Sequence, residues 1–177
     1  NLFIEAQLQP GETAVIHAAA SGVGTAALQL CRLFGCRTIA TASGPKLAAL
    51  RDFGADVVVD RHEQSFAEVV AEHTPSGADV ILDPVGGSYL EQDLQSLATG
   101  GRLVVIGLLG GSRAEFDLGR LLRRRLRIIG SVLRGRSNAE KTEITRRFAA
   151  EVWPHFDSGE LRPVIDRVLP IQAVDEA

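Results

Sequence analysis

Apolar residues fall along this chain in short unbroken runs, separated by stretches whose apolar positions recur every three or four residues. Thr13 to Ile16, Arg37 to Ala42, Asp56 to Asp60 with three consecutive valines, Asp79 to Asp83, Leu103 to Ile106 and Arg127 to Leu133 read as six strands. Between them, Val23 to Phe34, Pro45 to Phe53, Phe66 to His73, the stretch carrying Leu90, Leu94 and Leu97, and Leu118 to Arg124 have helical spacing. Ile144, Phe148 and Val152 mark one face of a later helix, bent or ended near Pro154, whose ring removes a backbone donor. Ser88 with Glu91, and Ser137 with Glu140, have the spacing of capping boxes. Strands that are apolar throughout belong to a parallel sheet covered on both faces. The pattern predicts an α/β fold, a doubly wound six-stranded parallel sheet of the Rossmann type, with strand order 3-2-1-4-5-6.

The two ends depart from this alternation. Leu2, Phe3, Ala6 and Leu8, stopped by Pro10-Gly11, predict a lead-in helix or connector. Gly100-Gly101 reads as a turn before the fifth strand, and Pro163 to Leu169 as a seventh strand after which Gln172 to Ala177 begins another helix. The expected organisation is one domain over residues 1–160 and a truncated tail over 161–177. A start at Asn1 rather than Met fits a fragment or an excised domain.

Composition narrows the partners. The 177 residues, 45% hydrophobic, suffice for one core and not for two. A net charge of −3 exerts no general pull on nucleic acid or membrane, and no apolar run approaches the roughly 20 residues of a bilayer span. Neither partner is expected, and a cytoplasmic setting is. The arginine-rich run from Leu121 to Ile129 reads, in a net acidic chain, as a solvated helix end leading into an edge strand. Cys31 and Cys36 and four scattered histidines make no metal-ligand pattern, and Cys31 falls on the apolar face of the first helix, so neither metal nor disulfide is expected.

The candidate chemistry lies between the first strand and first helix, in Ala19-Ala20-Ser21-Gly22-Val23-Gly24. A small-residue turn entering a helix lets backbone N–H groups and the helix N-terminus meet a pyrophosphate. Ala19 and Ser21 stand at the first two glycine positions of the usual fingerprint, and Gly24 keeps the third, where the helix packs closely on the sheet. A turn that binds no phosphate is the plain alternative for this motif alone. The second strand adds a discriminator: where an NAD site carries an acid about 20 residues on, this chain has Thr41-Ala42-Ser43-Gly44 and then Lys46. A 2′-phosphate would be repelled by a carboxylate and drawn to Ser43 and Lys46, which predicts NADP(H). The same missing acid counts against a methyltransferase. His17 reads as a core histidine and Asp83, before Pro84, as a structural strand-end residue, so no catalytic residue is assigned.

Several further strings carry a family resemblance. His17 to Leu30, Ala78 to Gly87, Gly101 to Gly107, Ser131 to Arg134 and Pro163 to Pro170 resemble the zinc-independent quinone oxidoreductases (zeta-crystallin-like) of the medium-chain dehydrogenase/reductase superfamily. The resemblance implies that the backbone of Ser21, Gly22, Val23 and Gly24 holds the pyrophosphate and that Ser43 and Lys46 hold the 2′-phosphate. Arg61 stands where the family often has a tyrosine that touches this phosphate. It further implies Val85 and Gly86 near the adenosine or ribose, Gly107, Leu108 and Leu109 beside the nicotinamide, and Ser131, Val132 and Leu133 closing over it. The implied activity is hydride transfer to a small-molecule quinone or enone, by a homodimer paired along the sixth-strand edge, with a separate catalytic domain outside this chain. An acyl-thioester enoyl reductase shares this half. A non-catalytic module that responds to nucleotide is the reading from a different class.

Overall fold

Parallel strands in the order β3-β2-β1-β4-β5-β6 form a single six-stranded sheet. The computed structural model describes residues 1–176. In chain order the elements are β1 (Thr13–Ile16), α1 (Gly22–Leu33), β2 (Arg37–Ala42), α2 (Leu47–Asp52) entered through a 3-10 turn (Gly44–Lys46), β3 (Val57–Asp60) and α3 (Phe66–His73). Then come β4 (Ala78–Asp83), α4 (Leu90–Ser96), β5 (Leu97–Val105), α5 (Leu118–Arg124), β6 (Arg127–Gly130), α6 (Asn138–Glu151) and α7 (Pro154–Asp157). Fold class and strand order agree with the sequence reading.

Side-chain alternation explains the unbroken apolar runs. Ala14 and Ile16 of β1, with Val80 and Leu82 of β4 and Val104 of β5, point to one face, where Leu28 and Cys31 of α1 and Leu50 of α2 cover them. Val15, Ile39, Ile81 and Leu103 point to the other and meet Phe66 and Val70 of α3 and Leu94 of α4. Burial on both faces leaves no polar position to alternate with.

Gly24 fixes how closely α1 sits on the sheet. A Cβ there would lie 2.5 Å from the Cα and O of Ala19, so only glycine lets the first helical turn lie against the β1 loop. The two polar interruptions of α1 also have structural work. Gln29 is buried and exchanges hydrogen bonds with the backbone of Arg162 at 3.1 and 3.0 Å, and Arg32 donates to the carbonyls of Asp52 and Glu160.

Three elements differ from the sequence reading, and at the N-terminus the connector is found rather than the helix. Residues 1–8 form turns closed by Ala6 N–H on the Asn1 carbonyl and Leu8 N–H on the Leu2 carbonyl, not a helix. They are held from outside, because Arg102 of β5 donates to the Ala6 and Gln7 carbonyls and to both carboxylate oxygens of Glu12. Gly100-Gly101 lies within β5, where the pairing with β4 slips from Ala78 opposite Leu97 to Val80 opposite Arg102. Ser88 does not cap α4: Tyr89 holds the N-cap position without a side-chain bond, while the Ser88 N–H donates to Gly110. Ser137 and Glu140 do form a capping box on α6.

Pro163 to Leu169 is not a seventh strand. The Gln29 clamp ties the chain to α1 at Arg162, and Val164, Ile165 and Val168 stay exposed. A final 3-10 segment (Ile171–Glu176) follows, and Ala177 lies outside the described residues.

Candidate functional site

Because every strand runs the same way, the loops at the carboxyl ends of β1 to β5 gather on one side of the sheet. There they enclose a cleft of about 440 Å³. One wall is the turn Ala18 to Ser21, held by Ala19 N–H on the Thr41 carbonyl and Ser21 N–H on the Ala18 carbonyl. The Ser21 hydroxyl accepts from Gly24 N–H and caps α1. Gly22 and Val23, the first two residues of that helix, are exposed, and among the described residues their N–H groups have no acceptor.

The opposite wall is built from two loops that bond to each other. Leu109 N–H reaches the Pro84 carbonyl, Gly110 N–H the Val85 carbonyl at 2.6 Å, and Gly87 N–H the Gly111 carbonyl. Asp83, fully buried at the end of β4, folds the first of these loops by accepting from Val85 N–H at 2.6 Å and from Gly86 N–H at 2.9 and 3.1 Å. This is the structural part that its place at a strand end predicts. Gly86 turns at φ +79°, and a Cβ there would stand 2.9 Å from the Gly111 carbonyl oxygen.

Ser43, Lys46 and Arg61 close the far end, beside Tyr89 and Ser88. Neither the Lys46 ammonium nor the Arg61 guanidinium has a hydrogen-bond or ion-pair partner among the described residues, and no carboxylate lines the cleft. Burial pushes the Tyr89 hydroxyl up from its ordinary value, with Arg61 opposing it.

The cleft thus brings together Ser21, Ser43, Lys46, Arg61, Val85 and Leu109 among the residues singled out from sequence. Gly22 and Val23 face an adjoining hollow beside Leu2 and Leu82. Gly24 and Gly86 act through the backbone, as does Gly107, whose Cβ would strike the Pro84 carbonyl. Leu108 is exposed and does not line the cleft. Ser131 and Leu133 lie apart, in a small hollow where the Ser131 hydroxyl donates to the Asn1 side chain and Arg136 pairs with Glu5. Val132 and Leu133 project into solvent.

His17 is the core histidine its position predicts, and its partner is Asp93. His17 is 1% exposed, with Nε2 2.8 Å from Asp93 Oδ1 and Nδ1 3.0 Å from Thr41 Oγ1, and the rings of Phe66 and Tyr89 stand edge-on to it. The available signal was Asp93 itself, an acid on the apolar stripe formed by Leu90, Leu94 and Leu97.

A family model described as "Zinc-binding dehydrogenase" matches residues 22–150. Among the described residues no group of three or more His, Cys, Asp or Glu side chains is placed to hold a metal ion. The chain is 32% identical over 99% of its length to the human "Synaptic vesicle membrane protein VAT-1 homolog", and 29% identical over 99% to human "Quinone oxidoreductase". It spans 49% and 52% of those proteins, about half the length of each. The structure of Escherichia coli quinone oxidoreductase complexed with NADPH superposes on 93% of the chain with a TM-score of 0.80 at 27% identity, and the chain covers 51% of it. No helix among the described residues is long and apolar enough to cross a membrane.

Proposed function

Because the chain belongs to the zinc-binding dehydrogenase family, in the zinc-independent, quinone oxidoreductase-like part of the medium-chain dehydrogenase/reductase superfamily, we propose that it is the NADP(H)-binding part of an enzyme that passes hydride to a quinone or activated alkene. The observation that carries this reading is the far end of the cleft, where two unpaired cations, Lys46 and Arg61, meet Ser43 with no carboxylate in the lining. A dianionic 2′-phosphate suits that set, and the ribose hydroxyl of NAD would find no acid among the residues lining the cleft. The unpaired N–H groups of Gly22 and Val23 at the start of α1 suit a pyrophosphate.

When bound, the nicotinamide supplies the hydride chemistry. The residues of this chain bind and orient it: Val85 and Leu109 as apolar walls of the cleft, Leu108, Val132 and Leu133 as exposed apolar side chains toward which a further domain could close. In this reading the substrate wall lies in the half of the relatives that this chain does not span.

Nucleotide titration followed by nicotinamide fluorescence tests the reading. NADPH is expected to bind more tightly than NADH. A charge-assisted contact is worth roughly 1.5–3 kcal/mol, so Lys46→Glu should weaken NADPH by about 10- to 150-fold and leave NADH nearly unchanged. Equal affinities in the parent chain would overturn the assignment of Ser43, Lys46 and Arg61.

The same reading pairs two chains along β6, whose outer edge has no strand partner among the described residues and carries the half-exposed Ile128. Sedimentation should then give twice the 18.9 kDa chain mass, and Ile128→Lys should shift it toward one chain.

A further inference from the structure

The groups at the cationic end of the cleft spring from two neighbouring strand ends. Ala42 of β2 stands opposite Asp60 of β3, so Ser43 and Arg61, each one residue further on, leave the sheet side by side, about 4.8 Å apart. Arg61 N–H donates to the Ala42 carbonyl at 3.0 Å, and the 3-10 turn brings Lys46 back to Ser43, with Lys46 N–H on the Ser43 carbonyl at 2.9 Å. His62 N–H is taken by Asp60 Oδ1 at 3.0 Å, and Pro45 has no N–H. The amides of Lys46, Arg61 and His62 are thus spent on the fold. What meets a phosphate here is carried by side chains.

Those side chains are mobile in reach. The Ser43 hydroxyl makes no capping bond to the turn. Lys46 and Arg61 are exposed, and their charges, without partners among the described residues, stand at the ends of long stems with several rotatable bonds. NADPH and coenzyme A differ at this end in one respect: each carries an adenosine 5′-diphosphate with a monoester phosphate on the ribose, on the 2′ oxygen in the first and the 3′ oxygen in the second. These oxygens are cis on adjacent carbons. A site separates such isomers only through donors fixed in place or through a group that the wrong isomer meets unfavourably. Neither device is present among the residues lining the cleft, which include no acid to repel a 3′-phosphate and add a second hydroxyl, Ser88, on the facing loop. The rest of the site meets parts that both ligands share: Ala18, Val85 and Leu109 the adenosine, and the unpaired N–H groups of Gly22 and Val23 the 5′-diphosphate.

We propose that the cleft also takes 3′-phosphoadenosine nucleotides, the class to which coenzyme A and its thioesters belong, and that they compete with NADPH for Ser43, Lys46 and Arg61. The inference rests on the cofactor reading, because it uses the same phosphate seat. Its consequence is that occupancy of the cleft answers to two nucleotide pools instead of one.

Calorimetric titration tests it with AMP, adenosine 2′,5′-bisphosphate, adenosine 3′,5′-bisphosphate, coenzyme A and dephospho-coenzyme A, which lacks the 3′-phosphate. The two bisphosphates should bind within about fivefold of each other and each about tenfold or more tighter than AMP, and coenzyme A about tenfold or more tighter than its dephospho form. Either 3′-phosphorylated ligand should lower the fluorescence of bound NADPH. Lys46→Gln should weaken both bisphosphates by a similar factor and leave AMP within about twofold. A 2′ isomer that outbinds AMP beside a 3′ isomer that does not would overturn the inference and leave the cofactor reading standing. Two isomers no tighter than AMP would overturn both. Coenzyme A that binds like its dephospho form, or a 3′ isomer indifferent to Lys46→Gln, would also overturn the shared seat.

Discussion

Gly24 and Gly22 stand two residues apart in the same helical turn, and the structure gives them opposite sensitivities. At Gly24 a methyl group would lie 2.5 Å from the Cα and O of Ala19 and 2.6 Å from its C, all backbone atoms that cannot rotate away. Ordinary contact begins near 3.4 Å, so α1 must retreat from the β1 turn by roughly 1 Å, parting Leu28 and Cys31 from Ile16 and Val80. Overpacking of this kind costs about 1–3 kcal/mol. For a domain of this size each kcal/mol is worth about 2–4 °C, so the melting midpoint of Gly24→Ala should fall by a few degrees to about ten. At Gly22 a Cβ meets nothing within 4 Å, so Gly22→Ala should melt within about 2 °C of the parent or slightly above it. Thermal unfolding followed by far-UV circular dichroism measures both. If Gly24→Ala melts with the parent while Gly22→Ala is the weaker, the close approach of helix to sheet does not depend on this position and the reasoning fails.

Two further outcomes follow from buried and paired groups. Burial pushes the Cys31 thiol up to about 12, so at pH 8 iodoacetamide should leave it unmodified in the folded chain and label it readily in urea, with mass spectrometry as the readout. Burial alone would raise the Glu12 carboxyl, but the hydrogen bonds from Arg102 and Gln9 and the Arg102 charge hold it below the ordinary 4.5. A depressed carboxylate contributes stability above its unfolded value that is lost as pH falls through the folded one. Urea midpoints of the parent should therefore drop on acidification below about pH 4.5, and Glu12→Gln should drop less.

The sheet was legible because burial on both faces erases polar alternation, and the strand order followed from the run of βα units. What misled were apolar residues without a partner in register. Leu2, Ala6 and Leu8 are buried, yet Arg102, 94 or more residues away, dictates turns there instead of a helix. Val164, Ile165 and Val168 have the composition of a strand, but the Gln29 clamp holds the chain to α1 just before them and they stay exposed. Local spacing contains neither fact. In the candidate site, Ser43 and Lys46 were visible as a missing acid and a nearby cation, and Arg61 through resemblance. Asp93 was masked by the leucines around it, and its meaning depends on His17 arriving from the end of β1.

One feature of the last helices bears on how the protein can be watched. Trp153 is the sole tryptophan of the chain, and it sits half-exposed between Phe148 and Phe156, with ring centroids 6.1 and 6.3 Å away, on a helix pair that buries no residue of its own. Its emission is therefore a local gauge of that pair, blind to the cleft and nearly blind to the sheet. A tryptophan signal that moves before the circular dichroism does would record this pair peeling away from a body that is still folded.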